Sequence, residues 1–534
     1  MHADLSGQPP VIHDLASGRA CLAHLQLANP VLAERQLTDF VDALLHRPPE
    51  AGVLFALLEQ ARAPMAFVEE EMARRYHNKP LPLTDEEEVC FRKVLAGWRK
   101  MLQAYALCAR PDGAALADPQ QAGLTATLLH RGLYYTGNII LEHYRARREL
   151  PAGIWLELHC LYAAAEEQGL ACTPVEDALE NNLQATHCAA AYTAVLLIEI
   201  ASPYSNSVRN LNLIRRWAGM WAPLVSIHAV DNDLEVPPYV VELTNDAPLH
   251  PTSVVDSPGN DARRLDTTRL GLQISHMLSQ LRQRVAPSQL GLGEETGGHV
   301  AALLEHLSRP WTQLASPRRF RRFPTRGIAR VAVGFEAMHY FVGGQEFEQP
   351  DSARAYSRRE FDELFTFRER AGPGQALSIK PQTSFPVEEW SVINHSANGF
   401  RLARGRVGQR MAHAQLMAVC PHDGEQFLLV QVSWLMQEDN GGLVAGVAIL
   451  PGIPVAVGVR QAGENHAANV HFGRAFLLPA VAAVHEDASL VLPAGLYQPS
   501  RTFDVVGAGN PQQLRLKHIL QRGVDFDRIS YDAL

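Results

Sequence analysis

The 534-residue chain lacks every short motif that would mark it as an enzyme of a familiar kind: no G-x-S-x-G elbow, no H-E-x-x-H pair and no G-x-x-x-x-G-K-[ST] loop. GLGEETGG at 291–298 is glycine-rich but follows no apolar strand, so it does not read as a phosphate cradle. The seven cysteines (Cys21, Cys90, Cys108, Cys160, Cys172, Cys188 and Cys420) form no C-x-x-C pair, are odd in number and sit mostly in apolar segments. That is the pattern of reduced, buried thiols and excludes a disulfide framework. The 22 histidines are scattered without metal-ligand spacing, so no resident metal or other cofactor is expected. The opening residues MHADLSGQPPVIHDLASG have neither the basic region nor the apolar stretch of a signal peptide. CAAAYTAVLLIEIA at 188–201, read as the most apolar run, is shorter than a membrane span and carries Glu199. These absences place the chain in the cytoplasm with no membrane span.

No tract is low in complexity, and 47% hydrophobic with 20% charged residues is the composition of folded domains. The length implies three or four of them. A net charge of −9 argues against a protein that coats nucleic acid, because such binding needs many distributed cations. Any strongly basic stretch must therefore be read locally.

From about residue 30 to 220, Leu and Ala recur three and four apart, which predicts helices near 31–46, 51–75, 85–110, 119–146, 152–168, 174–201 and 206–221. Two starts carry capping boxes: Thr84 with Glu87 in PLTDEEEV, and Thr173 with Glu176 in CTPVEDAL, where Pro174 takes the first helical position. Between 222 and 260 the pattern shifts to short extended pieces, LVSIHAV and PPYVVEL, and the loop DSPGND, which fits a small hairpin or linker. Helical spacing returns in DTTRLGLQISHMLSQLRQRV and at 298–308.

From Ile328 the chain reads as β structure. IARVAVGFEAMHYFV alternates and closes on Gly343-Gly344. MAHAQLMAVC, EQFLLVQVSWLMQ and LVAGVAIL follow, separated by His422-Asp423-Gly424 and Asp439-Asn440-Gly441-Gly442, turns whose two central positions are expected at positive φ. A meander of this kind most often closes into a small barrel. SRREFDEL, with Ser357 and Glu360, predicts one helix inside an insertion at 345–390. The last stretch suggests a second, smaller β unit. The fold class is thus α+β and multidomain: an α-helical domain over 1–221, a hairpin or linker plus helices over 222–310 completing that region, a small antiparallel barrel over 311–452, and a C-terminal β extension over 453–534.

The charge pattern breaks at RRFRRFPTRGIAR, residues 318–330, where Arg318, Arg319, Arg321, Arg322, Arg326 and Arg330 occur without one acidic residue or lysine. The arginine fork matches phosphate oxygens, can donate to O6 and N7 of guanine, and stacks on bases. Pro324 favours an extended loop ahead of the strand. Some seventy residues on, WSVINHSANGFRL supplies an amide at Asn394, a hydroxyl at Ser396 and a position of close backbone approach at Gly399. Cations, an amide and a glycine together make a nucleotide site. His395, between them, reads as a surface residue.

An R-x-x-x-R pair before a first strand, N-x-S-x-x-G at the end of a later one, and a meander ending in a G-V-x-I strand resemble the PilZ domain. The resemblance covers 315–343 and 388–452. It implies a six-stranded β-barrel that binds cyclic di-GMP, with Arg322 and Arg326 as the pair, Arg318 and Arg319 flanking it, and Asn394, Ser396 and Gly399 as the second motif. The pairs 318/322, 322/326 and 326/330 all fit R-x-x-x-R; 322/326 is preferred for its distance from the strand. The insertion roughly doubles the usual separation of the two motifs. The implied protein is no enzyme but a receptor governing motility, surface attachment or exopolysaccharide output through a protein partner bound by the helical region. Three alternatives stay open: a degenerate barrel that scaffolds protein partners without nucleotide, a nucleic-acid binder using the same arginines, and an enzyme with a site assembled from dispersed helical residues.

Overall fold

The computed structural model describes residues 11–109, 119–179, 185–230, 237–252, 259, 261–313, 322–349, 385–462, 471–507, 509 and 511–534. Two compact units result, one of Met1–Lys79 with Leu83–Arg318, the other of Pro80–Pro82 with Arg319–Leu534. The helix expected around SRREFDEL, and Arg318, Arg319 and Arg321, lie outside the described residues.

The first unit is built on α1 (Leu15–Ala23), α2 (Pro30–His46), α3 (Ala51–Ala73), α4 (Asp85–Ala106), α5 (Pro119–Arg145), α6 (Ile154–Glu167), α7 (Cys188–Ile200) and α8 (Val208–Trp221). An antiparallel sheet follows in the order β1-β4-β2-β3, from β1 (Ser226–Ala229), β2 (Tyr239–Glu242), β3 (His250–Pro251) and β4 (Ala262–Asp266), and then α9 (Thr268–Arg282) and α10 (Gly297–Trp311). The segment read as a hairpin or linker is therefore a four-stranded sheet. Its Val241 and Leu265 join the same apolar core as Leu57, Tyr192, Trp217 and Trp311.

The capping box at α4 is present: the Thr84 amide donates to Glu87 Oε2 (2.8 Å) and the Glu87 amide to Thr84 Oγ1 (3.3 Å). The second box is not, and α7 begins at Cys188, fourteen residues later than the spacing predicts. Tertiary bonds override local preference there. Val175 exchanges both backbone hydrogen bonds with Thr186 (2.7 and 2.9 Å), and Asp177 is drawn into the core. Its fully buried carboxylate accepts from Arg62 (2.8 Å) and Arg131 (3.1 Å) and from the Leu179 amide (2.9 Å). A helix over 174–180 would surrender these partners.

α3 is long and apolar enough to cross a membrane by composition, a candidate that the sequence reading passed over. It also carries Arg62 and Glu69, both buried, and its Leu54, Leu57, Leu58, Met65 and Val68 pack in the helical core of this unit.

The second unit contains two closed antiparallel barrels. The first comprises β5 (Phe323–Val333), β6 (Glu388–Ser396), β7 (Gly399–Arg404), β8 (Leu416–Pro421), β9 (Leu428–Gln437) and β10 (Leu443–Ile449), hydrogen-bonded in the order β10-β7-β6-β5-β8-β9. The second, the stretch read as a β extension, comprises β11 (Val455–Gln461), β12 (Gly473–Leu478), β13 (Ser489–Pro493), β14 (Thr502–Val506), β15 (Gln512–Arg522) and β16 (Phe526–Ala533), in the order β11-β12-β13-β16-β15-β14. Closure removes the sheet edges that a meander this long would otherwise expose.

Residues 335–343, expected to continue the strand, form α11 (Phe335–Gly343). Gly334 at φ 87° ends β5, and Gly344 at φ 71° closes the helix, its amide donating to the Tyr340 carbonyl (2.8 Å). FEAMHYFV satisfies both periods on paper; what decides is that Ala337 and Met338 pack with Leu416 and Phe427 of the first barrel and Phe476 and Val491 of the second. One apolar cluster thus joins both barrels through α11. The turns also differ from expectation. Neither Asp423 nor Gly424 is at positive φ; β8 and β9 are joined by residues 422–427, with a turn in which the Gly424 amide donates to the Pro421 carbonyl (2.9 Å). Between β9 and β10 only Gly441 (φ 87°) is left-handed, a turn followed by a glycine bulge rather than a two-residue loop.

Burial pushes the Asp177 carboxyl up, but the hydrogen bond and charge of Arg62, with Arg131, outweigh it and hold its pKa below the usual range. Stability from this group is therefore present above the unfolded value near ~3.9 and lost as pH falls through the lower folded value. Asp177→Asn leaves two buried guanidinium groups short of countercharge and is expected to cost about 3–5 kcal/mol at pH 7. Urea denaturation followed by helical circular dichroism measures it, and the deficit should shrink below about pH 4.

Candidate nucleotide-binding cleft

On β5 and β6 the ladder runs Phe323↔His395 and Pro324↔Asn394, then resumes at Gly327↔Val392. Thr325 and Arg326 thus stand against the single residue Ile393, a bulge that bends β5 and re-aims its side chains. The neighbouring ladder to β7 has its own irregularity at the same place: Val392 pairs with Leu402 and Asn394 with Arg401, so Ile393 is the extra residue. Two bulges back to back open the barrel wall into a cleft of roughly 350 Å³. Its lining includes Thr325, Arg326, His395, Phe400, His422 and Asp423. The volume is that of the smaller ligand pockets.

The sequence-predicted residues fall as follows. Arg322 is exposed and immediately precedes β5. Arg326 is exposed too, but β5 starts five residues earlier than expected, so it stands in the strand's bulge and not in a loop ahead of it. Of the three R-x-x-x-R registers only 318/322 keeps both arginines ahead of the strand. Arg330, the last, points elsewhere: its Nη2 donates to Cys420 Sγ (3.3 Å) and its guanidinium lies 5.2 Å from the Phe427 ring. Arg326 has no hydrogen-bond or ion-pair partner among the described residues. The half-buried Asn394, one ladder step from the bulge, likewise has a side-chain amide without a partner among them.

Ser396 is committed within its own turn. Its hydroxyl lies 2.7 Å from Asn398 Oδ1 and 3.4 Å from the Gly399 carbonyl, to either of which it can donate. Gly399 serves the fold: a Cβ there would stand 2.1 Å from the Val447 carbonyl oxygen, where β7 lies against β10. His395, read as a surface residue, is half-buried; its Nδ1 lies 2.6 Å from Thr325 Oγ1, and its ring is 5.8 Å from that of Phe323. Sequence reasoning also missed Phe400, His422 and Asp423 as lining groups. The signal for Phe400 was its place opposite His395 across the short β6–β7 hairpin; for His422 and Asp423 it was the turn joining β8, β5's other neighbour, to β9.

Three family models match in succession: "Cyclic-di-GMP receptor FimW, N-terminal domain" over residues 16–232, "Cyclic-di-GMP receptor FimW, middle PilZ domain" over 239–371, and "FimW C-terminal beta-barrel domain" over 457–534. The PilZ match lies in the middle of the chain, over residues 239–371, and not strictly in its C-terminal part. It takes in β5 and α11 and ends before β6, so the structure, rather than the match, places Asn394, Ser396 and Gly399 on the same barrel as Arg326. A protein described as "Cyclic-di-GMP receptor FimW" from Pseudomonas aeruginosa is 25% identical over 517 residues, covering 88% of this chain and 82% of its own length.

Gly399→Ala in the PilZ barrel should cost about 1–3 kcal/mol, because the added carbon meets backbone rather than a side chain that can move. Gly405→Ala, with nothing within 4 Å of the added carbon, should be nearly neutral. Denaturant midpoints of the two variants against wild type check the contrast.

Proposed function

We propose that the chain is a cyclic di-GMP receptor that performs no chemistry and couples ligand binding to control of a protein partner through its helical region. The observation that carries this reading is the cleft on the β5–β6 bulge, lined by Arg326, with Asn394 one ladder step away on β6; neither side chain has a partner among the described residues. A dianion with guanine edges satisfies both: arginine for phosphate or for O6 and N7, the amide for a base edge. Arg322 immediately precedes β5, with Arg318 and Arg319 close by along the chain. Gly399 keeps β7 against β10, and Ser396 holds the turn between. The receptor descriptions of the matched models and of the relative from Pseudomonas aeruginosa support the same ligand.

The boundary between the two compact units falls between Arg318 and Arg319, inside the arginine stretch. A ligand gripping these arginines acts where one unit gives way to the other in the chain, and the size of any shift is limited by its differential affinity for the two states. The regulated process in this reading is motility, attachment or exopolysaccharide output, in the cytoplasm. The four-part division 1–221, 222–310, 311–452 and 453–534 is proposed with it.

Calorimetry with cyclic di-GMP on the full chain tests the site. Arg322→Ala and Arg326→Ala are each expected to weaken binding roughly 10- to 100-fold, the loss of one charge-assisted hydrogen bond. Unchanged affinity in both refutes the site. Absence of heat with wild type, together with stable co-purification of a partner, favours a scaffold that has lost the nucleotide.

A further inference from the structure

The cleft presents, beside Arg326, a group that electrostatics alone would keep away from a dianion. Asp423, exposed in the β8–β9 turn, lines it with His422, and neither side chain has a hydrogen-bond or ion-pair partner among the described residues. The turn is held by its backbone, through the Gly424 amide and the Pro421 carbonyl, so the carboxylate is not needed to make it. Phe400, half-buried on β7, supplies an aromatic face in the same cleft.

We infer that Asp423 is the specificity-determining residue of the cleft, reading the N1–H and N2–H₂ edge of one guanine of cyclic di-GMP while Phe400 packs against the base; this rests on the receptor reading above. The chemistry is selective. A carboxylate only accepts, and its two oxygens match the two donors that guanine presents side by side. Adenine carries an unprotonated N1 at the corresponding place and no N2 amine, so the same carboxylate faces a lone pair and repels it. Phe400 adds sequence-tolerant stacking affinity, and Asp423 turns that affinity into preference for guanine.

Charge gives the test a sign. Were Asp423 a bystander, removing its negative charge beside a ligand of charge −2 would tighten binding of every cyclic dinucleotide. Calorimetry at fixed salt with cyclic di-GMP and cyclic di-AMP, on full-length wild type, Asp423→Ala and Asp423→Asn, separates the cases. The expected result is a loss of roughly 10- to 100-fold for cyclic di-GMP in both variants, with cyclic di-AMP binding unchanged or stronger, so that the guanine preference collapses. Asn is at home in turns, and its variant guards against misfolding of the alanine one; thermal unfolding matched to wild type verifies both. If wild type binds cyclic di-GMP and the variants bind it as well or better, the inference is overturned and the receptor reading stands. If wild type binds no cyclic di-GMP, both fall.

Discussion

Two residues of β5 facing one of β6 is the constraint on which the site depends. Thr325 and Arg326 occupy a place in the ladder that pairing allots to one residue, and Ile393 does the same toward β7. A regular ladder would have alternated the β5 side chains strictly between barrel interior and solvent. The paired bulges instead break the wall where Asn394 and His395 arrive, and groups some seventy residues apart in the chain become neighbours. Pro324 fits this place for a related reason: lacking an amide hydrogen, it is tolerated in strands chiefly at edges and bulges.

Much of this was legible in the sequence, and the failures have specific causes. The helical region and the hairpin meander rest on periodicity and turn residues, which are local, and the PilZ resemblance on two short motifs in that strand context. The strand at 335–343 failed because FEAMHYFV fits period 2 and period 3.6 alike, and the cluster joining the two barrels selects between them. The helix start at Thr173 failed because Asp177 gains more from two buried arginines than its segment does from a cap. Of the residues singled out in the sequence, Arg326 lines the cleft, and its place in the strand was not legible: Pro324 reads as a loop residue to anyone who cannot see the bulge that admits it. Phe400, His422 and Asp423 carry no motif, and only the closure of the barrel brings them beside Arg326.

The helical unit pairs charges that it buries. In the helical unit Glu59, Arg62, Arg131 and Asp177 form one network across α3, α5 and the segment before α7, and Tyr76, His77, Glu142 and Arg145 form another; both sit in the interior with ions of opposite sign in contact. Burial alone would push the Glu142 carboxyl up, yet Arg145 and the hydrogen bond from His77 hold it far below its usual range. Such pairs must be kept whole, since losing one partner strands a charge away from water. They fix how helices pack.

The barrel cleft shows the reverse. Arg326 and Asp423 are polar groups with no internal partner among the described residues, both lining one opening, and the turn that carries Asp423 is held by backbone that does not need its side chain. A fold gains nothing from such an arrangement: an unpaired cation and an unpaired carboxylate lining one cleft without meeting each other contribute neither packing nor an ion pair. Their chemistry is also too mixed for an acidic partner surface, which would suit Arg326 and repel Asp423, and for generic nucleic acid, whose backbone offers phosphates to Arg326 but calls for no carboxylate. A ligand that brings an anionic phosphate and, a short distance away, a base edge rich in donors answers both at once, and a guanine nucleotide is such a ligand. The acidic balance of the chain and its one dense arginine stretch then fit together in the proposed reading: non-specific polyanions are held off by the whole, while a small doubly charged guanine dinucleotide is admitted beside Arg326 and read by Asp423.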